Sequence, residues 1–125
     1  MKLNSCNLVM SAMFGGRQGQ RPPVGNPTSI ACHGLMDKAG VSFPEAHLDA
    51  QAMTDLALAG REALGFDTVM PEYSVVQEAA ALGAEVDWGD RDKMPDVKAF
   101  PNADFSDTTI PSDFLEKPSC RVVLD

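Results

Sequence analysis

The chain is short of positive charge. Ten Lys and Arg face 18 Asp and Glu, a formal net charge of −8, and no basic stripe offsets it. Nucleic acid and anionic membrane surfaces call for clustered cations, so both are disfavoured as partners. Cysteine is also scarce. Cys6, Cys32 and Cys120 are odd in number with no CxxC spacing, which argues against a disulfide framework and for a reducing, cytoplasmic setting. Long apolar runs are missing too: nothing approaches a membrane span, and no charged stretch leads into an apolar core like that of a signal peptide. Asn26-Pro27-Thr28 fails as a glycosylation site because its middle residue is proline. Gly15-Gly16-Arg17-Gln18-Gly19 lacks the GK[ST] ending of a phosphate loop and reads as a turn.

What remains is enough for one domain. The 125 residues are 44% hydrophobic, sufficient for a single packed core. The stretch RPPVGNPTS (21–29) sets three prolines and a glycine around one apolar step. Pro22 and Pro23 suit a strand entry, Val24 a short buried strand, and Pro27 a stop. Gly25 permits close approach, and Asn26 places a donor and acceptors at the strand end, where α/β proteins hold their ligands.

Alternating units surround this stretch. Apolar spacing over Leu3–Phe14 predicts a leading helix, so residues 1–20 form a helix and turn. A strand is predicted at 23–26, a helix at 29–39 opened by Ser29 and closed by Gly40, and a helix over 49–64 with Asp49 as cap and Gly65 as stop. Ser42 with Glu45, and Ser74 with Gln77, have capping-box spacing. Residues 66–70 predict a parallel strand ended by Pro71, 74–82 a helix, and 85–87 a weaker third strand. The order β-α-β-α-β implies an α/β fold with parallel strands. Residues 90–117 read as a long surface connection, and Pro118 opens a last helix that is still apolar at Leu124.

The blocks RPPVGNPTS, SFPEAHLDAQAM, GFDTVMPEYSVVQEAAALGAEVDWGD and DFLEKPS resemble the N-terminal third of the uroporphyrinogen decarboxylase superfamily, closest to its methylcobamide:coenzyme M methyltransferase branch. The resemblance implies residues 1–125 are the N-terminal portion of a (β/α)8 TIM barrel, incomplete at this length. It implies a parent enzyme that passes a methyl group from a methylcobamide, free or on a methylated corrinoid protein, to a small thiol such as coenzyme M. The stretches after the first two strands would face the barrel mouth, so Asn26, Thr28, Ser29, Pro71, Glu72 and Tyr73 would bind substrate or cofactor. Decarboxylases of the superfamily carry an RQAGR-type motif at the first of these positions. Here Gly25-Asn26-Pro27-Thr28-Ser29 has no arginine for substrate carboxylates, which favours the methyltransferase branch. Phe105-Ser106-Asp107 spells the family's FSD motif away from its matching position.

The branch's zinc ligands, a His-x-Cys pair and a later Cys, would lie beyond residue 125. The chain alone is therefore expected to hold neither zinc nor corrinoid, to carry no catalytic residue, and to be inactive. An open barrel edge would favour self-association. A tetrapyrrole decarboxylase and a non-catalytic piece that docks on a corrinoid protein stand as alternatives.

Several residues have plainer readings. Asn26 can bond its own turn, and Glu72 can serve as a helix-end carboxylate. Tyr73 can belong to the core. Asp67 suits a bond to a neighbouring loop better than catalysis, and His47 suits packing. Cys32 and His33 are adjacent, point about 100° apart on a helix, and read as helix packing.

Overall fold

The computed structural model describes residues 4–16, 21–26 and 28–125, with nothing stated of the Phe105 side chain. The expected turn over Arg17–Gly19 and the stop at Pro27 lie outside the described residues. Helix α1 spans Ser5–Met13, α2 His33–Ala39, α3 Glu45–Leu48, α4 Ala50–Leu64, α5 Gln77–Ala81 and α6 Pro118–Leu124; β1 is Glu85–Asp87 and β2 Asp96–Ala99.

Helix α4 is the frame. Asp49 accepts from Ala52 N–H at 2.8 Å and starts it, and Gly65 ends it in the left-handed region at φ 72°. Met53, Leu56 and Ala57 turn one apolar face into the core beside Leu35, Met36, Phe43, Ala46, Tyr73 and Val122. Leu56 is fully buried, so truncating it to Ala costs about 3 kcal/mol. Gly60 on the same helix lets the chain come close: a Cβ there would lie 3.5 Å from Ile30 Cγ2.

That contact moves a boundary. The helix expected from residue 29 begins at His33, with Cys32 extended at φ −152°, because Ile30 packs flat along α4 before the chain coils. The capping boxes also differ. Ser42 supplies its carbonyl to Ala46 N–H rather than its hydroxyl, and Pro44 occupies the cap of α3. Ser74 Oγ donates to Gln77 Oε1, while Val76 is the cap of α5.

The segments expected as the first two strands run side by side in the same direction without a regular ladder. Asp67 N–H donates to the Val24 carbonyl at 2.7 Å. In a parallel ladder Asn26 N–H would then donate to the Asp67 carbonyl. Here it donates to the Thr68 hydroxyl at 2.9 Å, and the ladder stops. Gly25 makes this possible, since a Cβ there would lie 3.3 Å from Thr68 Cγ2 and Oγ1.

The third expected strand forms at Glu85–Asp87 but pairs antiparallel with β2, with Val86 opposite Val97. The expected parallel order does not extend to it. Gly89 at φ 74° makes the turn, where a Cβ would overlap the Lys93 carbonyl oxygen. Lys93 and Lys98 then hold Asp87 at 2.7 and 3.7 Å. Within 90–117 the chain thus carries β2 and two short 3-10 turns, Phe105–Asp107 and Phe114–Glu116.

Candidate functional site

A cleft opens between the ends of the two side-by-side segments and α4. Asn26, Thr28, Ile30, Ala57, Arg61, Phe66, Thr68, Val69, Met70 and Tyr73 line it, and its volume is about 10 Å³, room for one water-sized group. Of the residues expected at a ligand site, Asn26, Thr28 and Tyr73 are brought together here. Ser29, Pro71 and Glu72 are outside the lining.

Asp67 ties together the two segments whose ends border the cleft. Its side chain, 1% exposed, accepts from Arg21 Nη1 at 2.6 Å, Arg21 Nη2 at 2.8 Å, Ser5 Oγ at 2.7 Å and Val24 N–H at 2.9 Å. The Arg21 bonds, then those of Val24 and Ser5, hold its carboxyl well below the usual range. Asp67 is thus a clasp that ties α1 and the first segment to the second. In the wall itself, Asn26 Oδ1 accepts from Thr28 N–H at 3.4 Å and Thr28 Oγ1 at 3.3 Å, leaving the amide nitrogen as donor. Asn26 thus bonds its own turn and also lines the cleft.

Tyr73 belongs to core and cleft alike. It is buried, its ring meets Phe43 edge-on at 5.5 Å, and its hydroxyl has no hydrogen-bond partner among the described residues. Burial pushes the phenol up to about 12, so it stays a donor. Phe43 in turn stacks on His47 at 4.2 Å. His47 is fully buried with neither ring nitrogen bonded among the described residues, and burial lowers it to about 4. Its packing role is clear. Glu72, half-buried, is raised first by burial and then by Glu78; it precedes the Val76 cap of α5 by four residues and is no cap.

Arg61 is the cleft residue that the sequence reading missed. Its position in the last turn of α4 was legible, but nothing local says that this turn borders Asn26. Cys32 and His33 are both exposed rather than packed into α2, and His33 Nε2 meets Asp92 Oδ1 at 2.6 Å. Among the described residues no three His, Cys, Asp or Glu side chains converge to hold a metal ion. Those residues do not fit zinc.

The uroporphyrinogen decarboxylase (URO-D) family model matches residues 7–125, and the chain belongs to that family. It is 34% identical over 117 residues to a methylated-thiol–coenzyme M methyltransferase of Methanosarcina mazei, covering 93% of this chain and 31% of that protein. A methylcobamide:CoM methyltransferase of Methanosarcina barkeri is 31% identical over 115 residues, 91% of this chain and 34% of that protein. The fold matches a solved methyltransferase from Methanosarcina mazei with TM-score 0.86 and 29% identity, over 98% of this chain and 36% of that one. The chain therefore spans about a third of the length of the relatives it matches. Among its described residues no helix is long and apolar enough to cross a membrane.

Proposed function

We propose that this chain supplies the first strand–helix units of a (β/α)8 methyltransferase that moves a methyl group from a methylcobamide to a thiol such as coenzyme M. The observation that carries this reading is sequence identity of 31–34% to enzymes of that description across more than nine-tenths of the chain. The missing arginine between Gly25 and Ser29 accords with it. Asn26, Thr28 and Tyr73 would contribute one wall of the substrate site, with Asn26 and Tyr73 as hydrogen-bond donors, and Ser29, Pro71 and Glu72 would lie at its margin. A cleft of about 10 Å³ is far too small for a corrin ring, so corrinoid and zinc are assigned to the longer protein. Its setting would be cytoplasmic, in keeping with the free thiols of Cys6 and Cys32 at the surface.

The test is a hybrid in which this chain replaces the matching first third of the Methanosarcina mazei relative. With methylcobalamin and coenzyme M the soluble hybrid is expected to form methylated coenzyme M and to leave uroporphyrinogen untouched. A hybrid that strips carboxyl groups from uroporphyrinogen but transfers no methyl supports the decarboxylase reading instead, in which Arg61 would grip a carboxylate.

A further inference from the structure

A second, larger cavity shares no residue with the cleft. It measures about 330 Å³, which reaches the lower end of the range for small-molecule sites, about 300–1,000 Å³. Two stretches line it: Ala79, Leu82 and Ala84 around the end of α5, and residues between Phe100 and Thr108 beyond β2. They approach at Gly83, where a Cβ would lie 3.7 Å from Pro101 Cγ.

The lining is mostly apolar, and its one charge is negative. Asp104 Oδ1 accepts from Ser106 N–H and Ser106 Oγ, both at 2.9 Å, and those bonds hold its carboxyl below the usual range. Its Oδ2 has no partner among the described residues, and the lining contains no Lys, Arg or His. Asn102 Nδ2 donates to the Asp107 carbonyl at 3.3 Å, which leaves its amide oxygen to accept. Phe100 in the same lining is 71% exposed, so its ring is open to an occupant. A neutral apolar molecule would desolvate the Asp104 carboxylate without pairing it, and an anion would be repelled. A cation satisfies the carboxylate and is attracted to an aromatic face.

We propose that this cavity binds a small organic cation, an ammonium group on an apolar body, with Asp104 as its counter-ion. The Asn102 amide oxygen accepts from the ammonium, the Phe100 ring packs against it, and Leu82, Ala84 and Pro101 receive the apolar body. The inference stands apart from the methyltransferase reading, since it uses none of the cleft residues.

The test is an NMR titration of the chain with benzylammonium, benzyl alcohol and benzoate, three molecules with one ring and different charge. Benzylammonium should give saturable shifts at the amides of Leu82, Ala84, Phe100 and Asn102, benzyl alcohol should bind about fivefold more weakly, and benzoate should not bind. Asp104→Asn keeps an oxygen for the Ser106 bonds and removes the charge. It should weaken benzylammonium about fivefold and leave benzyl alcohol unchanged, while Phe100→Leu should weaken benzylammonium about threefold. Glu62→Gln, on the exposed side of α4, lowers the chain's negative charge equally and should change nothing. No saturable shifts with benzylammonium, benzoate or benzyl alcohol binding as tightly, or equal losses in Asp104→Asn and Glu62→Gln would each overturn the proposal.

Discussion

Arg21 Nη1 and Nη2 lie 2.6 and 2.8 Å from the two carboxylate oxygens of Asp67, joining residues 46 positions apart. Arg21 is half exposed while the Asp67 side chain is 1% exposed, so the carboxylate is the buried member and its loss leaves Val24 N–H and Ser5 Oγ without their acceptor. Asp67→Asn is expected to lower the urea midpoint more than Arg21→Gln does. The sign with pH is fixed: a carboxyl held below its unfolded value, about 3.9, contributes stability above that pH and loses it as pH falls toward the folded value. Denaturation between pH 5 and 2 should show a steep loss in the native chain and a shallower one in Asp67→Asn.

His47 gives a second, separate acid limb. Its folded value is about 4 against about 6.5 for a free imidazole, so the native state binds fewer protons than the unfolded one between those values. The contribution is complete above pH 6.5 and is lost as pH falls to 4. His47→Phe keeps the stacked ring and removes the titration. Unfolding followed by Trp88 fluorescence at pH 4.5, 5.5 and 7 should show a slope in the native chain and almost none in His47→Phe.

Gly25 is needed for the Asn26–Thr68 contact. Gly25→Ala places a methyl 3.3 Å from the Thr68 side chain and is expected to cost about 1–2 kcal/mol. Removing Thr68 Cγ2 in Gly25→Ala/Thr68→Ser should recover part of that loss. Additive effects in a double-mutant cycle would show that the two residues do not press on each other.

Gly89 tests the hairpin alone. Gly89→Ala meets both a positive φ and the Lys93 carbonyl, a strain of at least about 1–2 kcal/mol. Hydrogen exchange should rise across β1, β2 and the turn that carries Arg91 to Asp37, while α4 keeps its protection.

Local signals account for what could be read in advance. The cap at Asp49, the stops at Gly40 and Gly65, the strand at 85–87 and the start of α6 at Pro118 each depend on residues within a few positions of the feature. Helix α2 begins late because Ile30 meets Gly60, thirty residues away. β2 gave no alternating pattern because only Val97 of its four residues is even half buried. The site was legible in part. Asn26, Thr28 and Tyr73 stood out as residues after strands, but Arg61 joins them only through packing of α4. The Arg21–Asp67 clasp depends on the same long-range approach.

The central claim is tested most directly by the initial rate of methyl transfer from methylcobalamin to coenzyme M in the hybrid, with and without Asn26→Ala. The hybrid should transfer methyl groups, and Asn26→Ala, at unchanged stability, should lower the rate about tenfold, the worth of one hydrogen bond of about 1.4 kcal/mol. A soluble, folded hybrid that transfers no methyl, or one that transfers equally fast without the Asn26 side chain, would contradict the account.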